Sequence, residues 1–429
     1  MLRTVVPPGP PGWSARSCRM LSRDTALPKS VAPPPSILLL GFMASLPGFG
    51  VDMALPALAD TAASLDASAH GASLAISTYM ASFGMAPLVY GPISDRFGRK
   101  PIILIGCLVF ILASVGCALA PSLPILLGWR VIAGLGAATM ALAMAMARDV
   151  YDDSVFRQKL STIVVAIYVS PIAAPIAGAA VLALAGWRTI YVGLATLGLL
   201  LLVGVWFGLH EDSKSRRPGR LRILTMIKDY GRVLSHPACR SYLLASATSF
   251  GVVGAYATGS ALFFIKAAGM SPNQFSLIFG LTSLASAAGA VLDSRLAAQG
   301  IASLYTVGGG LAIVVLGSTI LTAMTLVGWT PIAVTVLLFA AMTFSVGGAG
   351  PGIMQGSMQQ LPELSGTISA AGNCLAMVMG SLSSGLAAIF FDGRTLLSTT
   401  VAMLLCSTLA LLSFLAAARG TAKPCAVPS

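Results

Sequence analysis

Charge is what this chain has least of. Of 429 residues only 14 are acidic and 26 basic, 9% in all, against 56% hydrophobic residues. Mean hydropathy is +0.87. A soluble globular domain is excluded, since about a quarter of such a domain is charged. Histidine is scarcer still: His70, His210 and His236 all fall in loops, so no histidine proton relay is expected. The seven cysteines are odd in number, lie mostly inside apolar runs (Cys107, Cys117, Cys374, Cys406) and lack ligand spacing. Neither a disulfide framework nor a zinc site is indicated. Residues 1–36 are Pro-rich and basic and lack the apolar core of a secretory signal peptide. They are expected to form a disordered cytoplasmic tail, with Met1 or Met20 as the start. Gly308–Gly310 opens an apolar run without the lysine of a phosphate-binding loop. With no metal cluster and no nucleophile beside a base, an enzyme is not expected, nor is a cofactor.

What is present is long apolar segments. About 18 or more apolar residues suffice to cross a ~30 Å hydrocarbon core as a helix. Twelve such runs are read at 37–57, 72–93, 101–120, 123–146, 161–185, 188–209, 241–263, 275–292, 303–324, 331–354, 367–391 and 395–417. They are continuous, without the alternation of barrel strands, so a β-barrel is excluded. The expected fold is an all-α integral membrane protein of 12 transmembrane helices in two six-helix bundles. The net charge of +12 is a topology signal and not a nucleic-acid footprint. Numbering the runs puts 22 of the 26 Lys and Arg on one side, all but Arg130, Arg188, Lys266 and Arg394. By the positive-inside rule both termini are expected in the cytoplasm, and the protein in a bacterial inner membrane.

The hydrophilic stretch 210–240 carries eight Lys and Arg together with Pro218 and Gly219, and divides the runs six and six. The expected organisation is a first bundle at 37–209, a basic cytoplasmic linker at 210–240, a second bundle at 241–418 and a cytoplasmic tail at 419–429. Gly91 and Asp95 close the second run, and Gly289 and Asp293 close the eighth. Both pairs are spaced alike, as a duplicated six-helix unit would give. Gly- and Ala-rich stretches such as Gly134–Ala138 and Gly347–Gly352 suit close packing of helices in lipid.

One turn stands apart. In Gly91–Pro101, four charges (Asp95, Arg96, Arg99, Lys100) fall within six residues. The segment matches G-x-x-x-D-R-x-G-R-[RK] at every defined position, the signature between helices two and three of the major facilitator superfamily, which this chain resembles. It resembles more narrowly the Bcr/CflA drug-resistance group of twelve-span drug:proton antiporters. Asp52-Met-Ala-Leu-Pro-Ala-Leu is similar to that group's D-M-Y-L-P-A-L, with Ala54 in place of Tyr. Arg148-Asp149-Val-Tyr151, Gly186-Trp187-Arg188-Thr-Ile-Tyr191 and Gly366-Thr-Ile-Ser-Ala370 resemble further stretches of the group. So does the helix-five set Pro171, Pro175 and Gly178, although the full Gly-Pro-x-x-Gly-Gly is absent and Pro87 stands where Gln is usual. The likeness runs over about residues 45–415. It implies proton-coupled efflux of small amphipathic compounds or antibiotics by alternating access. A metabolite permease or exporter of the same fold is the alternative.

Ionisable residues inside a bilayer are functional candidates because burying them costs several kcal/mol. Asp52 is the one acid well inside a run, and Arg130 the one base. Helical rise puts Asp52 roughly 22 Å from the cytoplasmic edge and Arg130 roughly 10 Å from the outer edge, at similar depth. Burial favours a neutral acid, and a nearby guanidinium favours the carboxylate. The pair can therefore couple proton binding to conformation, as the resemblance also implies, or serve as a permanent structural lock. Gly91, Asp95, Arg96, Gly98, Arg99 and Lys100 are expected to form a conformational switch loop docking near helix eleven, or else only to fix topology. Tyr79, Met140, Met144, Tyr168, Phe250, Tyr256, Gln355 and Asn373 are candidate cavity residues. A lone buried carboxylate suits a neutral or weakly charged substrate. The expected partners are that substrate, protons and the lipid bilayer, with the chain acting as a monomer.

Overall fold

The computed structural model describes residues 35–137, 142–143, 146–147, 153–209 and 223–421. The described chain is helical, with no strand among the described residues. The helices are α1 Ile37–Asp52, α2 Leu58–Ser64, α3 Ala69–Phe97, α4 Arg99–Ala118, α5 Leu123–Gly136, α6 Asp153–Ala185 and α7 Trp187–Gly208. Then follow α8 Ile223–Ser235, α9 Pro237–Ala261, α10 Pro272–Ala298, α11 Ser303–Val327, α12 Ile332–Gln360, α13 Ser365–Ile389 and α14 Leu397–Thr421. Ten segments among the described residues are long and apolar enough to cross a membrane. The other two expected spans differ for visible reasons. The 29-residue α3 carries polar Ser73, Ser77, Thr78 and Ser82 along its length, which dilutes its hydropathy. The apolar α5 is described for 14 residues, and the rest of its expected run falls largely outside the described residues.

Local chemistry fixes where the helices begin and end. Ser68 Oγ accepts the Gly71 N–H at the start of α3. Ser271 and Gln274 form a reciprocal capping box on α10, which satisfies two otherwise orphaned amides. Gly98 separates α3 from α4 at φ 97°, a left-handed backbone that a side chain would strain. That turn is the centre of the charged Gly91–Pro101 segment. The first span is not one smooth helix. It breaks after Asp52 and resumes through a 3-10 turn at Leu55–Ala57, with Pro56 inside it, before α2.

Each half packs on its own core, and a second core joins them. The first-half core contains Met43, Phe110, Ile190 and Leu194. The joining core sets Leu55, Leu58, Ile76 and Met80 of the first half against Phe263, Phe264 and Phe275 of the second. It lies at the end where α1 gives way to α2 and α9 ends in a π turn, Leu262–Ala267. Hydroxyls tie the halves together at that same end. Ser77 on α3 meets Ser384 on α13 at 3.0 Å, and Ser381 donates to the Ser77 carbonyl at 2.7 Å. Ser276 on α10 donates to the Pro175 carbonyl on α6 at 2.9 Å. The halves are thus sealed at one end by apolar packing and neutral hydrogen bonds.

One helix occupies part of the expected linker. α8 docks on the starts of α9 and α13, with Val233 buried among Cys239, Leu243 and Ile368. Arg232 reaches Glu363 at 3.4 Å.

Candidate functional site

Between the halves lies a cavity of about 390 Å³, walled by α1, α3 and α6 on one side and α9, α10, α12 and α13 on the other. Its size falls in the range of small-molecule sites. Its lining is mainly apolar and aromatic, including Phe83, Tyr168, Phe250, Tyr256, Phe279 and Met377. Asp52 is the one charged residue in the lining among the described residues. It ends α1 at the helix break, where it is 8% exposed. That small opening faces the cavity, so the carboxylate is buried from lipid yet reachable from within.

The opposite wall carries neutral polarity. Thr282, Ser283 and Ser286 follow one another along one face of α10, with Thr343 on α12 and Asn373 on α13. Tyr256 meets Thr282 at 2.5 Å through its hydroxyl and stacks on Phe279 with ring centroids 5.5 Å apart. Its ring is thereby fixed as a flat apolar wall. The hydroxyls on α10 and α12 were not among the expected site residues. Their spacing along one helix face is the signal that marks them.

Of the candidate cavity residues, Tyr168, Phe250, Tyr256 and Asn373 line this cavity. Tyr79 and Gln355 do not. Tyr79 is fully buried in the first bundle, its hydroxyl donating to the Pro47 carbonyl at 3.2 Å. Gln355 sits on an exposed face of α12. In a helix apolar all round, hydropathy does not reveal which face turns inward. Met140 and Met144 lie outside the described residues, as do Arg148, Asp149 and Tyr151.

Arg130 packs inside the first bundle. Among the described residues it forms no ion pair with Asp52 and does not line the cavity. It is 1% exposed inside the first bundle. Its Nε donates to the Ala75 carbonyl at 2.8 Å, and its guanidinium lies 4.2 Å from the Tyr79 ring centre and 5.8 Å from that of Tyr191. Its Nη2 has no hydrogen-bond partner among the described residues. Equal depth does not imply equal azimuth, and Tyr79 stands on the α1 side of the guanidinium.

The helix-five residues each make a distinct contact. Pro171 lines the cavity, and the Pro175 carbonyl receives Ser276 from the other half. A Cβ on Gly178 would strike the Met53 carbonyl, so α6 approaches the break in the first span as closely as glycine allows. In the charged turn, Gly91 and Asp95 lie in the backbone of α3. Arg96 sits 5.2 Å over the Phe97 ring. Lys100 donates to the Trp206 and Leu209 carbonyls at 2.8 and 2.7 Å, which caps the C-terminal end of α7, where cations are favoured. Arg99 begins α4. No group of three or more metal-ligating side chains occurs among the described residues.

A chain with this architecture has known counterparts. It is 28% identical over 360 residues to the bicyclomycin resistance protein homolog of Haemophilus influenzae, covering 82% of this chain and 88% of that one. It is 28% identical over 263 residues to multidrug resistance protein D of Escherichia coli, covering 60% and 65%. Its fold matches that of the peptide transporter POT with a TM-score of 0.73 at 14% identity, covering 92% of this chain and 96% of that one. Residues 38–384 match the family model of the major facilitator superfamily. The chain is a membrane transporter belonging to that superfamily, and not an enzyme.

Proposed function

We propose that this transporter exports small amphipathic compounds, antibiotics among them, in exchange for protons. The observation that carries the reading is an apolar, aromatic cavity between the halves with a single carboxylate, Asp52, in its wall among the described residues. The printed names of the bicyclomycin- and multidrug-resistance relatives support the same substrate class. Basic residues crowd the side that bears the 210–240 stretch, so that side is read as cytoplasmic. The sealed end then faces outward, and the cavity belongs to an inward-open state.

In the proposed cycle, Asp52 takes a proton when the site opens outward, and substrate leaves. After the halves rock, substrate entry from the cytoplasm or inner leaflet displaces the proton inward. Arg130 acts through Tyr79 and the first-bundle core, without touching Asp52. The Gly91–Lys100 turn anchors α4 to α7 through Lys100 and switches against helix eleven, α13, in the outward-open state. No cofactor is needed, since the proton gradient supplies the energy, and one chain suffices.

The test is proton release in everted vesicles. Addition of a transported compound should collapse an imposed pH gradient, read by a pH-sensitive dye. A deletion strain should become susceptible to apolar antibiotics in a compound panel. A response to a polar metabolite alone, with unchanged susceptibility, would favour the metabolite-exporter alternative.

The neutral seal gives a second expectation. Ser384 hydrogen-bonds both Ser77 and Thr258, the latter at 2.6 Å. A hydrogen bond contributes about 1 kcal/mol. Ser384→Ala is therefore expected to shift the conformational equilibrium outward by about fivefold or more. Distance distributions between spin labels across the outer end would report it; an unchanged distribution would remove the hydroxyls from the gate.

A further inference from the structure

α8 presents three faces, and only one of them is packed into the apolar core of the protein. Tyr230 and Val233, three residues apart, pack against Leu364 and Ile368 at the start of α13. Ile227 and Leu234, seven apart and so on one face, are 61% and 44% exposed. Lys228 and Arg232, four apart, form the third face and are exposed, as is Arg240 just beyond the helix. An amphipathic helix with exposed aliphatic side chains beside exposed bases has the pattern of one that lies in a membrane interface.

Its position supports that occupant. α8 is joined to α9 through His236 alone, and its packed face touches the end of α12 and the start of α13. Three membrane-crossing helices begin or end at its level, which is where the hydrocarbon gives way to headgroups. The surrounding stretch 210–240 holds eight Lys and Arg against Glu211, Asp212 and Asp229. Arg232 is shared with acids, lying 4.0 Å from Asp229 and 3.4 Å from Glu363. Lys228 and Arg240 enter no ion pair among the described residues.

We propose that α8 is a docking site for the anionic surface of the surrounding bilayer. Ile227 and Leu234 enter the acyl boundary, while Lys228 and Arg240 engage lipid phosphates. Arg232 meanwhile ties the helix to the turn that precedes α13. Lipid charge thereby sets how firmly the start of a cavity-lining helix is held.

The experiment is hydrogen exchange of segment 223–235 in the full-length protein, reconstituted in nanodiscs of phosphatidylcholine alone or with phosphatidylglycerol. A base near an anionic surface contributes about fivefold in binding, so exchange is expected to slow about fivefold or more in the anionic discs. High salt should erase the difference by screening. Lys228→Gln with Arg240→Gln should also erase it, while Glu363→Gln, which removes an ion pair but no base, should preserve it. Equal exchange in both discs, or loss of the lipid effect in Glu363→Gln, would overturn the proposal. Protection that appears only on adding a cytosolic fraction would assign the face to a soluble protein and overturn it too. The readout needs no transported compound, so it stands or falls apart from the export reading.

Discussion

Asparagine in place of Asp52 is expected to abolish proton-driven transport while the protein remains folded. The amide is nearly the same size as the carboxyl but holds no exchangeable charge, so the cavity keeps its shape and loses the Asp52 acid. Asp52 makes no ion pair among the described residues and faces the cavity, so no buried partner is orphaned by the change. Uphill export in proteoliposomes under an imposed pH gradient should fall about a hundredfold, the loss expected for a required proton-transfer group. Substrate exchange without a gradient should persist, because rocking of the halves needs no proton once the site is permanently neutral. Wild-type dependence of uphill export on the gradient in Asp52→Asn would remove this residue from the coupling step.

Methionine in place of Arg130 separates the coupling reading from the structural lock. A lock contributes to stability; a buried cation held off from its acid does not. Arg130 buries its charge with Nη2 unpartnered, a cost of several kcal/mol. Against that stand one charged hydrogen bond to Ala75, about 1.5–3 kcal/mol, and stacking on Tyr79, about 2 kcal/mol. The terms nearly cancel, so Arg130→Met is expected to melt within a few degrees of the wild type while transport falls at least about tenfold. A fall of ten degrees or more in melting temperature, with turnover preserved in the folded fraction, would establish the lock. Arg130→Lys should behave like methionine in transport, because an ammonium does not reproduce the planar guanidinium against the ring.

Much of this was legible in the sequence, and the limit has a physical origin. Span lengths, the glycine turn at Gly98 and the buried Asp52 follow from hydropathy and from backbone chemistry that few residues satisfy. Azimuth does not. Tyr79, Gln355 and Asn373 are all polar groups within apolar helices, yet one packs in a bundle core, one is exposed and one lines the cavity. A helix that meets lipid on one side and protein on the other is apolar on both, so periodicity fades. The depth of Arg130 was calculable from helical rise, whereas its separation from Asp52 required the packing of α3 and α5. α8 was hidden for a different reason: its bases and its turn residues read as a linker, and only its contacts with Ile368 and Glu363 reveal a docked helix.

The cavity wall has one further consequence, for how such a protein changes over generations. Its acid belongs to the first half, while the hydroxyls and amide that face it belong to α10, α12 and α13 in the second. On the proposed function, substitutions in the second half can therefore alter which molecules are held without disturbing the carboxylate proposed to couple transport to protons. On that proposal cargo and coupling occupy separate inherited parts, so one can be retuned while the other is conserved.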